Sequence, residues 1–228
     1  MGATPSFNPT TIEVDGGTAF HVRRIYCVGR NYRAHALEMG ADPDREAPFF
    51  FLKPTDAVVR SGSTIQYPMH TGDYQHEIEL VVAIGVGGRN IGAADAERHI
   101  FGYAVGLDMT RRDLQMAARK AGRPWDMGKG FDESAPCGSI TPIAQCGALK
   151  SGAITLEINQ QPRQTSDLSL MIWNVNEVIA DLSTYMCLAP GDLIYSGTPE
   201  GVGAVSRGDK LHGRIAGLKD LRIQIAAS

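Results

Sequence analysis

The segment spanning residues 77–84 constrains the fold of this chain more than any other. Apart from Glu77 and Glu79 it contains only Ile, Leu, Val and Ala, and glycines follow it at positions 85 and 87. A short apolar run rich in β-branched residues and bounded by glycine is typical of a strand deep inside a sheet. On such a strand the two glutamates project from the same face, about 7 Å apart along the chain.

These two glutamates admit two interpretations, which the residues alone leave open. If they are buried side by side, they repel each other and lose hydration unless a cation neutralises them, and a divalent metal ion with oxygen ligands is suited to that. Alternatively, they lie on the solvated face of a strand at the edge of the sheet.

A third carboxylate, Asp108, favours the metal interpretation. It ends the strand predicted for residues 101–107, and Thr110 with Asp113 offers a capping pattern for the helix that follows. Asp108 is then free to face something other than the helix. Three such carboxylates would leave positions on a magnesium ion for water and substrate.

The rest of the chain predicts short elements in an irregular order. Strands are expected over residues 24–27, 49–52, 154–158 and 221–225, and helices over residues 31–39, 93–99, 110–120 and 172–186. Asn31 is expected to cap the first of these helices, and Pro190-Gly191 to end the last. Because strands and helices do not alternate regularly, we expect an α+β, β-rich fold on a mostly antiparallel sheet.

Length and composition bound the domain organisation and the partners. We expect residues 1–23 to form an N-terminal arm, extended over residues 3–17, with a first strand, and residues 24–228 to form a single domain. A net charge of −3 argues against nucleic acid as a partner, and no apolar run approaches the ~20 residues of a membrane span. The four scattered cysteines lack metal-ligand spacing, so we expect a reduced, cytoplasmic protein.

His35 and Glu38 lie three residues apart on a predicted helix and so share one face. A carboxylate beside an imidazole orients it and stabilises the imidazolium, which suits a general base that acts on water. The alternative is an exposed pair that contributes little, which is common for an isolated pattern of this kind.

Several cations could bind an acidic substrate. Lys129 lies in a glycine-flanked segment, and Lys53 follows the apolar run at residues 49–52. Arg112, Gln115 and Arg119 share one stripe of the predicted helix after Asp108. Each alone is more often a surface residue, but together they would provide positive charge for a carboxylate-bearing ligand.

A dinucleotide-binding loop is an alternative for the glycines after the apolar strand. Gly85 and Gly87 follow a strand, and Asp108 lies about twenty residues further on, as in a dinucleotide fingerprint. However, Asn90 occupies the third glycine position, and a strand buried on both faces would not carry Glu77 and Glu79. A tight turn explains the same glycines.

Taken together, these motifs resemble the fumarylacetoacetate hydrolase family, specifically its acylpyruvate hydrolase branch. The resemblance runs from Ile25 to about Ile225. The matching motifs are residues 27–32 with His35 and Glu38, and residues 51–54, 76–80, 107–113, 129–132 and 197–203. The resemblance implies a mixed β-sandwich roll with a few short helices, assembled as a homodimer.

The resemblance also implies roles for individual residues. Glu77, Glu79 and Asp108 would hold one Mg²⁺ or Mn²⁺ per subunit, and His35 with Glu38 would activate water. Lys129 would contact the bound keto acid, and Arg30, Lys53, Arg112, Gln115 and Thr198 would bind substrate. Relatives commonly carry two histidines before the first metal-binding glutamate, whereas this chain has Gln75 and His76.

The reaction that the resemblance implies is hydrolytic cleavage of a carbon–carbon bond in an acylpyruvate, a 2,4-dioxo acid. The detailed pattern at residues 23–32 and 122–126 is similar to enzymes that convert fumarylpyruvate and water to fumarate and pyruvate in gentisate breakdown. The distal carboxylate of such a substrate would need a cation, for which Arg30, Arg33 and Arg123 are candidates that the sequence does not separate. Oxaloacetate decarboxylation and 2-oxo-enoate isomerisation are alternatives at the same site. From other classes, a dinucleotide-binding oxidoreductase or a ligand-binding module without catalysis remains to be tested.

Overall fold

The computed structural model describes residues 8–40 and 46–228, so residues 3–7 of the predicted arm lie outside the described residues. The strands in the described part are β1 (Thr11–Ile12), β2 (Phe20–His21), β3 (Arg24–Gly29), β4 (Phe49–Lys53), β5 (Val58–Arg60), β6 (Thr64–Ile65), β7 (Tyr74–His76), β8 (Ile78–Ile84), β9 (Ile100–Leu107), β10 (Thr110–Arg111), β11 (Ala135–Cys137), β12 (Thr141–Pro142), β13 (Ala153–Ile158), β14 (Gln161–Asp167), β15 (Asp192–Tyr195), β16 (Gly203–Ala204), β17 (Lys210–Ile215) and β18 (Leu221–Ile225). The helices are α1 (Arg33–Glu38), α2 (Arg112–Lys120), α3 (Asp126–Lys129), α4 (Ile143–Cys146) and α5 (Val175–Tyr185), with 3₁₀ turns at Thr55–Ala57, Ala96–His99 and Leu168–Leu170.

The largest sheet is mixed and has β8 near its centre. Its strand order is β4-β3-β15-β8-β9-β11-β5, and β12 also pairs with β9. β8 is antiparallel to both neighbours, β9 and β15, and all seven of its residues are buried. Burial on both faces is what its nearly continuous apolar sequence requires. The prediction of a deep strand is therefore confirmed, and the edge-strand interpretation of the two glutamates is wrong.

A second sheet covers one face of the first. Its order is β14-β13-β17-β18-β6, and its inward residues, such as Leu156 and Leu221, join Leu80 and Val105 of the large sheet in one core cluster. The opposite face of the large sheet holds a smaller cluster that includes Val81, and Ile12 of the N-terminal segment closes it. This sandwich of sheets with short helices confirms the β-rich α+β prediction.

The turn after β8 serves a hairpin-like connection rather than a dinucleotide. The backbone N–H of Gly85 donates to the carbonyl of His99 at 2.8 Å, at the start of β9. Because β9 runs antiparallel to β8, the parallel β-α-β unit of a dinucleotide fold is not formed here. None of the helices in the described residues is long and apolar enough to cross a membrane.

Two predicted helix starts are wrong because the expected capping residues have tertiary partners. α1 follows Tyr32, and Asn31 instead bonds to the distant residues Trp173 and Ser196. Thr110 lies in β10, and no side chain caps α2, which begins after Arg111.

Two further helix bounds also differ from the prediction. The helix expected over residues 93–99 is only the 3₁₀ turn Ala96–His99. α5 begins after a capping box formed by Asn174 and Glu177 and ends at Tyr185, before the predicted stop at Pro190-Gly191.

Candidate active site

The antiparallel pairing of β8 and β9 brings three carboxylates to one edge of the large sheet. Ile78 pairs with Leu107, and just beyond this pair the backbone N–H of Asp108 donates to the carbonyl of Glu77 at 2.8 Å. Glu79 lies two residues along β8 on the same face as Glu77. One oxygen atom of each of the three carboxylates lies within 4.8 Å of the others.

Cations neutralise these buried carboxylates unevenly. Lys129 Nζ lies 2.8 Å from Glu77 Oε2 and 2.7 Å from Asp108 Oδ2, and Lys53 Nζ lies 2.8 Å from Asp108 Oδ1. Arg112 also pairs with Glu77. Glu79 has no ion pair among the described residues, and the backbone N–H of Gly197 donates to its Oε2 at 2.8 Å.

The pKa values of these groups reflect that imbalance. Burial, together with the negative charges of Asp108 and Glu77, raises the pKa of Glu79 well above its usual range. Burial would also raise the pKa of Glu77, but the charges of Lys129 and Arg112 outweigh it and lower this pKa. For Lys129, burial favours the neutral amine, but Asp108 and Glu77 outweigh it and raise the pKa.

The donor set fits a hard divalent cation. Glu79 is 1% exposed and lacks a positive partner, so ionising it without added positive charge is unfavourable. Three carboxylate oxygens at mutual reach are the ligands that Mg²⁺ and Mn²⁺ prefer. The residues present therefore suit a metal ion at this edge of the sheet.

His35 and Glu38 form a hydrogen-bonded pair in α1. Nδ1 of His35 lies 3.1 Å from Oε2 of Glu38, while Oε1 of Glu38 accepts from the backbone N–H of Gly201 at 3.2 Å. His35 is buried and Glu38 is partly exposed. With Nδ1 engaged, Nε2 of the imidazole is the nitrogen left for a water or a substrate.

Most of the predicted site residues surround one pocket. Those that line it are Arg30, His35, Glu77, Glu79, Arg112, Gln115, Lys129 and Thr198. Phe49, Phe51 and Trp125 form an aromatic wall of the same pocket. Glu38 and Asp108 do not line the pocket, but Glu38 contacts the lining residue His35 and Asp108 contacts the lining residue Lys129.

Lys53 is a predicted substrate contact that lies outside the lining of this pocket. It is not among the residues that line the pocket; its Nζ contacts Asp108 and donates to the backbone carbonyls of Met109 and Lys129. A direct contact of Lys53 with substrate stays a prediction, and the contacts that the structure gives its ammonium group are with Asp108 and these two carbonyls.

Helices α2 and α3 pack closely enough to direct cations into the pocket. Arg112 donates to Gln115 Oε1 at 2.6 Å and to Gln75 Oε1 at 2.8 Å, in addition to its pair with Glu77. A Cβ at Gly128 would come within 2.8 Å of the Gln115 backbone, so only glycine allows this approach. Gln75 thus helps to orient Arg112.

Asn31 was missed as part of the site by sequence reasoning. Its side-chain NH₂ donates to the carbonyls of Ser196 and Trp173 at 2.7 and 2.8 Å, and its oxygen accepts from the N–H of Trp173 at 2.8 Å. It thereby fixes the segment before α1 against the segment that carries Thr198. Its sequence position predicted a helix cap, so the local signal pointed elsewhere.

Gln164 was missed as well. Its Oε1 accepts from the N–H of Ile78 at 3.0 Å and lies 3.0 Å from Nδ1 of His76, while its Nε2 donates to Thr198 Oγ1 at 2.9 Å. It is the one buried residue of the otherwise polar strand β14. No periodicity in that strand distinguishes it from its exposed neighbours.

Comparisons with known proteins show the family of this chain. The family model for the fumarylacetoacetate (FAA) hydrolase C-terminal domain matches residues 24–226. A fumarylpyruvate hydrolase from Ralstonia sp is 50% identical over 189 residues, which cover 82% of this chain and 98% of that protein.

A solved structure and a more distant relative extend the comparison. The crystal structure of fumarylpyruvate hydrolase from Pseudomonas aeruginosa in complex with Mn²⁺ and pyruvate superposes with a TM-score of 0.97 at 51% identity, covering 100% of both chains. A mitochondrial oxaloacetate tautomerase from Arabidopsis thaliana is 40% identical over 89% of this chain and 90% of its own. The chain belongs to the fumarylacetoacetate hydrolase family.

Proposed function

We propose that this protein is a metal-dependent hydrolase that cleaves the carbon–carbon bond of an acylpyruvate, with fumarylpyruvate and water giving fumarate and pyruvate. One observation carries the proposal: His35, Glu77 and Glu79 line one pocket, with Glu38 bonded to His35 and Asp108 clustered with the two glutamates. The chain is 51% identical to a fumarylpyruvate hydrolase solved with Mn²⁺ and pyruvate, which supports the same chemistry here.

Glu77, Glu79 and Asp108 would hold the metal ion, Mg²⁺ or Mn²⁺. When bound, such an ion supplies Lewis-acid polarisation of a substrate oxygen. The chain's own part is to keep these three carboxylates close together in a buried environment, with Lys53 and Lys129 as counter-charges behind and beside them.

His35 is the proposed general base. Its Nε2 removes a proton from a water molecule, and the water oxygen adds to the 4-carbonyl carbon of the substrate. Glu38 accepts from Nδ1–H and stabilises the imidazolium that forms. The C3–C4 bond then breaks, which yields the carboxylic acid and the enolate of pyruvate.

Lys129 would stabilise the negative charge that develops on this enolate. It is a buried ammonium that lines the pocket beside the carboxylates, and its raised pKa keeps it charged. A preformed cation in a water-poor site lowers the barrier for a step that develops negative charge. Return of the proton from His35 to C3 completes pyruvate and restores the base.

Thr198, Gln115 and Arg112 would orient the substrate. Because Thr198 Oγ1 accepts from Gln164, its own hydroxyl proton is available to a ligand oxygen in the pocket. Gln115 Oε1 is held by Arg112, so its amide NH₂ remains as a donor.

Oxaloacetate tautomerisation is a second candidate, favoured by the Arabidopsis thaliana relative at 40% identity. It shares an enolate with the hydrolysis but breaks no carbon–carbon bond. Oxaloacetate decarboxylation also remains open, since a Dictyostelium discoideum oxaloacetate decarboxylase is 39% identical.

A spectrophotometric assay tests the proposed function. We expect the enol absorbance of fumarylpyruvate to fall in the presence of enzyme, to persist after EDTA treatment, and to fall again when Mg²⁺ or Mn²⁺ is restored. Cleavage that survives complete metal removal would contradict the metal dependence. No cleavage of fumarylpyruvate or acetylpyruvate, with turnover of oxaloacetate, would favour the second candidate.

The remaining expectations belong to the same proposal. Residues 24–228 would form the catalytic domain and residues 1–23 an arm, in a cytoplasmic enzyme of gentisate breakdown. A homodimer is supported by an apolar groove whose lining includes Phe50, Leu52 and Tyr185, with Leu52 50% and Tyr185 65% exposed. Light scattering on the purified protein tests the dimer, and a monomeric mass would contradict it.

A further inference from the structure

We propose that Arg30 and Arg119 form a second anion site in the catalytic pocket, which binds a carboxylate at the far end of the substrate. This inference rests on the proposed function and names its substrate class: acylpyruvates that carry a second carboxylate, in preference to those that end in an alkyl group.

The two ends of the pocket are set by helix α2. Arg112, Gln115, Met116 and Arg119 all line the pocket, and their spacing places them on one face of the helix. Arg112 pairs with Glu77 at the carboxylate cluster. Arg119 lies seven residues further, which is about 10 Å along the helix axis. A ligand that reaches both ends must therefore be elongated.

Arg30 approaches the same pocket from the segment between β3 and α1. Its backbone has a φ of 56°, a left-handed conformation that is unusual for a residue with a side chain. Its guanidinium lies over the ring of Phe49, 5.4 Å from the centroid, and Phe49 packs edge-on against Trp125. The aromatic wall suits a flat unsaturated chain, and the guanidinium at its border suits an anionic end.

Arg30 and Arg119 lack an ion pair in the described part of the chain, and the only described carboxylate whose charge acts on Arg30 is that of Glu46, which opposes the lowering of its pKa. Neither guanidinium forms an ion pair with a carboxylate of residues 8–40 or 46–228, and the hydrogen bond of Arg119 goes to the carbonyl of Met39 at 3.4 Å. Burial, and then the charge of Arg119, lower the pKa of Arg30. A ligand carboxylate would relieve this repulsion and accept paired N–H bonds.

Other arginines near the chain's aromatic wall are placed differently. Arg123 lines the neighbouring apolar groove together with Pro124 and Leu52, and it is not among the residues that line the catalytic pocket. It is therefore a matched control for the loss of one guanidinium close to Trp125.

The test compares two substrates that differ at the far end. Fumarylpyruvate carries the second carboxylate and acetylpyruvate ends in a methyl group, so the ratio of their kcat/KM values isolates that contact. We expect R119M and R30M each to lower this ratio on the order of 10- to 100-fold, the effect of losing a charge-assisted hydrogen bond. R119K should lower it less, and R123M should leave it unchanged.

The outcomes separate this proposal from the proposed function. If R119M leaves the ratio of the two kcat/KM values unchanged, whether or not both values fall, the second anion site is overturned while hydrolysis stands. We expect R119M to fold like the wild type, because Arg119 lies at an exposed position of α2 and methionine is a good helix former. If the wild type cleaves neither substrate, calorimetry with fumarate decides: weaker binding to R119M than to wild type supports the site, and equal binding contradicts it.

Discussion

At the scale of single residues, the site was predictable where a charged side chain lies among apolar residues or glycines in the sequence. Glutamates within an apolar strand and a lysine between glycines stand out in the sequence, and the structure brings Glu77, Glu79 and Lys129 together. Asn31 and Gln164 could not be found in this way. Their importance comes from partners at least 34 residues away in the sequence, which no local pattern records.

Substitution of the proposed base tests the first residue-scale prediction. H35A should lower kcat for fumarylpyruvate by about 10²- to 10⁴-fold, because general-base assistance is lost. E38Q should lower it less, since an amide oxygen still orients the imidazole but does not stabilise its charge. Steady-state kinetics with metal-saturated protein measures both, and unchanged turnover in H35A would remove His35 from the mechanism.

Gln164 offers a second residue-scale prediction. In Q164L the buried N–H of Ile78 and the side chains of His76 and Thr198 lose their partner. Unpaired buried groups cost about 1–3 kcal/mol each, so the free energy of unfolding should fall by at least about 2 kcal/mol. Q161L, at an exposed position of the same strand, is the matched control in urea titrations. Equal effects of both changes would show that the Gln164 contacts contribute nothing.

At the scale of elements, the strands that carry the carboxylates followed from hydrophobic pattern, and the starts of the adjoining helices did not. β8 and β9 are apolar enough to be predicted from the local sequence alone. Thr110 has the composition of a cap, but it accepts a hydrogen bond from Lys129 at 2.7 Å instead. Where a functional side chain recruits a capping residue, local preference gives way to the tertiary contact.

The segment after β15 gives an element-scale prediction. Gly197 has a φ of 94°, and a Cβ there would lie 2.6 Å from the Cβ of Asn31. Gly208 has a φ of 87° with no atom within 4 Å of such a Cβ. G208A therefore measures the backbone cost alone, about 1–2 kcal/mol. G197A should lower the free energy of unfolding by more than G208A does, and it should also raise KM because Thr198 is displaced. Thermal unfolding and steady-state kinetics measure both effects. Equal effects of G197A and G208A would contradict the packing argument.

At the scale of the whole molecule, two packed sheets create an edge at which a buried, highly charged site is stable. The β-rich α+β class followed from the irregular order of short elements, whereas the sandwich was implied by the family resemblance. The position of the pocket did not, because it depends on α1, α2 and the segment after β15 meeting at that edge. A metal ion held by Glu77, Glu79 and Asp108 should therefore stabilise the whole fold.

Metal-linked stability is the prediction at this scale. Mn²⁺ at 100 times its Kd should raise the free energy of unfolding of metal-stripped protein by about 2.7 kcal/mol, as for any ligand that binds only the folded state. E79Q should abolish most of that gain, because it removes one carboxylate ligand. Calorimetric melts with and without Mn²⁺ measure it. A gain of equal size in E79Q would place the ion elsewhere.

The most direct test of the central claim, hydrolysis at this site, is isotope incorporation. Metal-loaded enzyme is given fumarylpyruvate in ¹⁸O-enriched water, and the products are analysed by mass spectrometry. The proposed attack of water on the 4-carbonyl predicts one ¹⁸O in the new carboxylate of each fumarate formed. Fumarate without the label, or consumption of substrate without formation of fumarate, would contradict it.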